Sequence, residues 1–201
     1  MLEHLPDLPP QKRLLLEQIV VRLRRIPGVA AIVLGGSYAS GTQHAASDLD
    51  IGLYYAAASP FSISNIHRVA DELSAQGPAT VTDFYGWGAW VNGGAWIHTP
   101  HGKVDFLYRN LDQVRQTIAE SHAGVAHHDY DQQPTHGFYS TIYLAETQIC
   151  IPLYDPAQLI VALKREVTTY PPRLKQRIIA DSLWAAEFTL LHAHGFAAQG
   201  D

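Results

Sequence analysis

Asp48 and Asp50 flank Leu49 at the head of a strand-like run that continues to Tyr55. Side chains alternate faces along a strand, so both carboxylates point one way while Leu49 and Ile51 turn to the other. Two like charges about 4 Å apart in an effective dielectric near 20 repel by about 4 kcal/mol. A cation between them, or a proton on one of them, relieves that cost. Magnesium is the natural occupant, because it takes hard oxygen ligands and combines one or two carboxylates with waters and substrate phosphates. Upstream, the apolar run Val29 to Leu34 ends in Gly35-Gly36-Ser37. Glycines there allow positive φ and close backbone approach, while the Ser37 hydroxyl and the amides of a following turn can donate to phosphate oxygens. Alone, a Gly-Gly-Ser marks a turn and an Asp-x-Asp a solvated strand end. In this order, with strands on both sides, they point jointly to phosphate and metal chemistry.

Ten residues lie between Ser37 and Asp48. With that spacing, the chain resembles the nucleotidyltransferase superfamily that includes DNA polymerase β and the antibiotic nucleotidyltransferases. The resemblance implies a mixed β-sheet nucleotidyltransferase core flanked by helices (α/β, or α+β). It also implies a nucleoside triphosphate as substrate, held at Gly36 and Ser37, and a two-metal magnesium site built on Asp48, Asp50 and a third carboxylate from a later strand.

The elements that must position these groups follow from periodicity. From Pro10 to Arg25, apolar Leu14, Leu15, Ile19, Val20 and Leu23 alternate with Lys12, Arg13, Glu17 and Arg22, which predicts an amphipathic helix stopped at Pro27-Gly28. Tyr38 to Ser40 is expected to begin a short helix and Gly41 to Ser47 to form the connecting loop, with Ser47 shaping the approach to the acids. A helix over Ser62 to Gln76 buries Ile66, Val69, Ala70 and Leu73 and ends at Gly77-Pro78. Three strand-like pieces follow at Thr80 to Tyr85, Ala89 to Thr99 and Lys103 to Arg109. In the last, Asp105 stands among Val104, Phe106 and Tyr108, an expensive place for a carboxylate without a partner. Asp105 is therefore the third acid that the resemblance requires; a salt bridge to Arg109 is its ordinary structural explanation. Asp83 is the rival, and its neighbours Gly86 and Gly88 favour a turn role.

Trp87, Trp90 and Trp96 can stack a base or an acceptor ring, although packing is the commoner use of tryptophans in a strand pair. Gly88 to Ile97 followed by Gly102 to Arg109 also resembles a bacterial subfamily of nucleotidyltransferase-domain proteins. Leu111 to Glu120 predicts a helix, and His122 to Gly137 a polar loop. His127, His128 and Asp129, like His98 and His101, lack zinc-site spacing and are read as surface or turn residues. Phe138 to Gln148 is expected to be helical and Ile149 to Tyr154 a short connector. Asp155-Pro156 is expected to start a helix over Ala157 to Val167, and Pro172 to His194 a second one. That second helix carries Leu174, Ile178, Ile179, Leu183, Trp184, Phe188 and Leu191, too many apolar residues for a single packing partner. The expected division is a nucleotidyltransferase domain over 1–155 and the start of an incomplete C-terminal helical domain over 156–201, truncated or completed by a homodimer.

A formal charge of −5 without a Lys/Arg cluster argues against a nucleic-acid surface, so the acceptor is expected to be a hydroxyl of a small molecule or protein. No apolar run approaches ~18 residues, so no membrane span is expected. The amino-terminal residues lack a signal-peptide layout, which makes the cytoplasm the default. Cys150, the single cysteine, excludes an internal disulfide and reads as a small buried hydrophobe. Lys103, Lys164, Arg173 and Lys175 are candidate triphosphate partners, although an ordinary surface charge is the commoner role for each. The Gly-x-x-x-x-Gly-Lys-Ser/Thr signature of P-loop enzymes is absent. The expected function is Mg²⁺-dependent nucleotidyl transfer, with a binding or regulatory module of the antitoxin type as the alternative.

Overall fold

The computed structural model describes residues 8–132 and 136–200. Helix α1 (Pro10–Leu23) begins on a proline, whose missing N–H is no loss in a first turn. Strand β1 (Ala31–Leu34), the single-turn helix α2 (Gly36–Ser40) and strand β2 (Leu49–Tyr55) follow. Helix α3 (Ile63–Leu73) buries Ile66, Val69, Ala70 and Leu73, the face that its spacing predicts. Next come β3 (Thr80–Val81), β4 (Gly94–Thr99), β5 (Gly102–Asn110) and α4 (Leu111–Ala123), where the Asn110 side chain caps α4 by accepting from the Asp112 amide. A two-strand ribbon, β6 (His128–Asp129) with β7 (Phe138–Tyr139), precedes α5 (Ile142–Ile149), β8 (Ile151–Tyr154), α6 (Leu159–Glu166) and α7 (Pro172–Gln199).

The main sheet is mixed, in the order β3-β4-β5-β2-β1-β8. Only β2 and β5 run parallel, and α3 with β3 and β4 supplies the long crossover that a parallel pair needs. One face of the sheet carries Leu49, Ile51 and Leu53 beside Val104, Phe106 and Tyr108, packed under α1 and α3. The opposite face carries Ala31, Val33 and Tyr54, covered by Leu111, Val114 and Ile118 of α4, Leu144 of α5, Ile160 and Leu163 of α6, and Leu174 of α7. This is the mixed α/β architecture that the resemblance implies.

Several elements depart from the sequence expectation. Residues 84–91 form turns rather than strand, because Tyr85 (φ 61), Asn92 (φ 50) and Gly93 (φ 124) leave the extended region. Phe138 and Tyr139 pair as a strand before α5 begins, and Ile151–Tyr154 is not a connector but the edge strand of the main sheet, paired with β1. The Asp155 carboxylate accepts the amides of Leu159, Ile160 and Val161, at 2.7 to 3.1 Å, so it caps a helix that starts at Leu159 rather than Ala157. Helix α7 buries Leu174 alone and leaves Leu183, Trp184, Phe188 and Leu191 exposed. Among the described residues no helix is long and apolar enough to cross a membrane.

Candidate active site

Asp50 of β2 and Asp105 of β5 are register partners on adjacent parallel strands. Residues directly opposite on neighbouring strands project to the same face, so the two carboxylates stand side by side at the open end of the helix-covered face. Asp48 precedes β2 by one residue and faces the same way by alternation. Burial and mutual repulsion both act on the Asp50 and Asp105 carboxyls. Burial, and then the charges of Asp48 and Glu146, push the Asp50 carboxyl up; burial, and then Asp50 and Asp48, raise Asp105 to about 6, with Lys103 pulling the other way. Among the described residues no Lys or Arg forms an ion pair with any of the three acids.

Gly35 and Gly36 meet this cluster from the β1 side. The Gly35 amide donates to the Asp50 carbonyl at 2.8 Å, which locks the turn onto β2. Gly36 adopts φ +57, and a Cβ at that position would overlap the Asp50 carboxylate. Only glycine therefore fits between the start of α2 and the acid. Ser37 lies in the first turn of α2, half-buried next to it.

The approach to Asp48 is held by groups that pattern reading put elsewhere. Lys12 falls among the polar positions of α1, yet it is 8% exposed, and its ammonium donates to the Tyr38 hydroxyl at 3.1 Å and to the Ser47 carbonyl. One buried cation thus ties α1, α2 and the residue before Asp48 together. Ser47 closes the turn itself, its Oγ accepting the His44 amide at 2.9 Å and its own amide donating to the His44 carbonyl at the same distance.

Arg109 does not pair with Asp105. It lies on the same face four residues along β5, 5% exposed, and its guanidinium grips Glu146 of α5 with two 3.0 Å hydrogen bonds. The pair lines a cavity of about 50 Å³ with Asp50, Gly36, Tyr54 and Leu107. Nothing in the local sequence signals the pair: Glu146 is thirty-seven positions from Arg109 and comes from a different helix.

The other candidates go elsewhere. Asp83 is exposed in the turn that it closes with Gly86. His127 binds Glu120 at 2.9 Å while His128 stacks on Tyr139, so the adjacent histidines do serve separate partners. Trp90 packs against Phe138 and Tyr143, whereas Trp96 is 48% exposed and stacks on Trp87. Lys164 donates to the carbonyls of Thr147, Gln148 and Cys150 at the end of α5, which occupies it structurally. Cys150 is buried, as expected.

Asp48, Asp50 and Asp105 offer oxygen alone, and burial together with the charges of neighbouring carboxylates makes Asp50 and Asp105 ionise reluctantly. That chemistry fits a hard divalent cation. Among the described residues no three His, Cys, Asp or Glu side chains enclose a metal position. The donor set is an open one, of the kind that magnesium completes with water and substrate phosphates. Residues 16–82, from the second half of α1 through the glycine turn, both residues of the Asp-x-Asp pair and α3 to the end of β3, match the family model described as the nucleotidyltransferase domain. No curated protein matches the chain.

Proposed function

We propose that this chain, which belongs to the nucleotidyltransferase superfamily through residues 16–82, transfers a nucleoside monophosphate from a nucleoside triphosphate to a hydroxyl of a small molecule or protein. The observation that carries the reading is the Asp50–Asp105 register pair set beside the Gly35-Gly36-Ser37 turn. Asp48 and Asp50 would hold one magnesium ion, and a second would be shared with Asp105. Bound there, magnesium supplies neutralisation of the triphosphate oxygens and a lower pKa for the acceptor hydroxyl.

The remaining work falls to the chain itself. The Gly36 amide and the Ser37 hydroxyl bind the β and γ phosphates, fixing the leaving group at the β1 side of Asp50. Asp105, whose carboxyl is raised by burial and by the charges of Asp50 and Asp48 in the metal-free chain, would orient the acceptor hydroxyl and take its proton. The acceptor oxygen then bonds to the α phosphorus, the bridging bond to the β phosphate breaks, and pyrophosphate leaves with the electron pair. Positioning and charge placement carry the catalysis, since no covalent intermediate is needed. Helices α6 and α7 belong to this reading as a helical region beside the nucleotidyltransferase domain.

The experiment is incubation with Mg²⁺, labelled nucleoside triphosphates and candidate hydroxylated acceptors, comparing the native chain with Asp50→Asn. Transfer and triphosphate binding are expected for the native chain, with transfer falling at least a hundredfold in the variant. A native chain that binds no triphosphate would refute the proposal. The exposed apolar side of α7 favours one alternative, a binding or regulatory module. Tight association with a second protein, indifferent to Asp50→Asn and without transfer, would establish it.

A further inference from the structure

Trp96 continues the row of carboxylates. It is the register partner of Asp105 on β4, as Asp50 is on β2, so Trp96, Asp105 and Asp50 occupy consecutive strands on one face. Neighbouring strands lie about 4.8 Å apart, which puts the Trp96 backbone one strand spacing from that of Asp105 and roughly twice that from that of Asp50. The indole is 48% exposed although it stacks on Trp87 at 4.4 Å and 26°.

The stack is braced from beneath. A Cβ on Gly94 would first overlap the Phe106 carbonyl and would also lie 2.9 Å from the Trp87 ring, so the glycine that the β4–β5 contact requires leaves Trp87 room against the strand. The Trp87 loop is pinned by Gln132, 7% exposed, whose side chain donates to the Trp87 carbonyl at 2.6 Å and accepts the Trp90 amide at 2.8 Å. Asn92, fully buried, donates to Gln113 at 2.9 Å and accepts the Asn110 amide at 3.1 Å. An exposed indole on a braced support, in line with the acids, has the properties of a preformed stacking surface.

The order of the row decides what stacks there. With the pyrophosphate at Gly36 and Ser37, on the β1 flank of Asp50, an in-line displacement brings the attacking oxygen from the opposite flank. That flank holds Asp105 and then Trp96. The nucleoside, attached to the α phosphorus across that line, points away from it. We infer that Trp96, backed by Trp87, is the platform for a ring-bearing small-molecule acceptor, whose hydroxyl then reaches Asp105. The inference rests on the nucleotidyl-transfer reading and adds to it the acceptor class: a hydroxylated ring, planar or with an apolar C–H face.

The test compares the native chain with Trp96→Ala, Trp96→Phe and Trp87→Ala, each checked for native circular dichroism. Binding of 2-(4-hydroxyphenyl)ethanol, methyl β-glucopyranoside and glycerol is measured by ligand-observed NMR. Binding of a non-hydrolysable triphosphate with Mg²⁺ is measured separately by calorimetry. At least one ring probe is expected to bind in preference to glycerol, with a loss of about tenfold to a hundredfold in Trp96→Ala and near-native binding in Trp96→Phe. The triphosphate affinity should be the same in all four proteins. The two ring probes separate a planar from a carbohydrate acceptor. Weaker triphosphate binding in Trp96→Ala would overturn the inference by making the platform a base site, and so would ring probes that bind no better than glycerol. Labelling of a tyrosyl peptide in place of free rings would overturn it in favour of a protein acceptor. Failure of the native chain to bind triphosphate while a ring probe still binds through Trp96 would sink the transfer reading instead.

Discussion

Replacing Asp105 by Asn should make the metal-free protein more stable near neutral pH while it abolishes transfer. Folding moves the Asp105 carboxyl from 3.8 to about 6, through burial first and the charges of Asp50 and Asp48 second. The folded state therefore binds a proton that the unfolded state has already released between those two values. Stability falls as pH rises through that window and levels off above it. The gap corresponds to roughly 3 kcal/mol if taken whole. Asp105 is only half-buried, and solvent screening reduces the penalty to about 1–2 kcal/mol. The neutral amide escapes it, so Asp105→Asn should gain about 1–2 kcal/mol at pH 7.5, or about 3–6 °C in Tm for a chain of this size. At pH 5 the gain should be about half as large, and it should fade toward pH 4. Urea unfolding in EDTA at the three pH values measures it. A gain of the same size at every pH, or a loss at pH 7.5, would show that Asp105 is not held in a repulsive cluster. The Asp50–Asp105 pairing would then have no electrostatic consequence.

Two further substitutions test the supports of the site. Gly36→Ala places a methyl group where the Asp50 carboxylate lies, at a backbone φ of +57. We expect a loss of about 1–3 kcal/mol in stability, measured by thermal unfolding, together with weaker triphosphate binding; unchanged affinity would mean that the turn does not face the phosphates. Lys12→Met keeps the stem that lies among α1, α2 and the Asp48 loop but removes the bonds to Tyr38 and the Ser47 carbonyl. It should cost about 1–2 kcal/mol and, by loosening the residue before Asp48, reduce transfer more than it reduces acceptor-probe binding.

Local pattern was enough for everything that depends on neighbours along the chain. Alternation put Asp48 and Asp50 on one side of β2, and spacing identified the buried face of α3, because a strand or helix imposes its own period on whatever sequence it contains. Resemblance supplied the glycine turn and the demand for a third acid, for which Asp105 is the proposed residue. The sequence also signalled the excess of apolar residues on α7, which remain exposed.

Pairing between distant segments was a different matter. Period says which face a side chain takes, but not which strand lies next to it or at what register. Asp50 meets Asp105 only because β2 and β5 run parallel with no shift between them, and Trp96 joins their row only because β4 pairs antiparallel with β5 at that register. A slip of one residue would have turned Asp105 into the apolar core and Phe106 toward the acids. Lys12 and the Arg109–Glu146 pair were illegible for the same reason. Their burial is decided by the elements that close over them, α2 and the Asp48 loop in one case and α5 in the other. The chain's own order determined the chemistry available to this protein; the tertiary fold, by setting register and closure, decided which groups stand together to perform it.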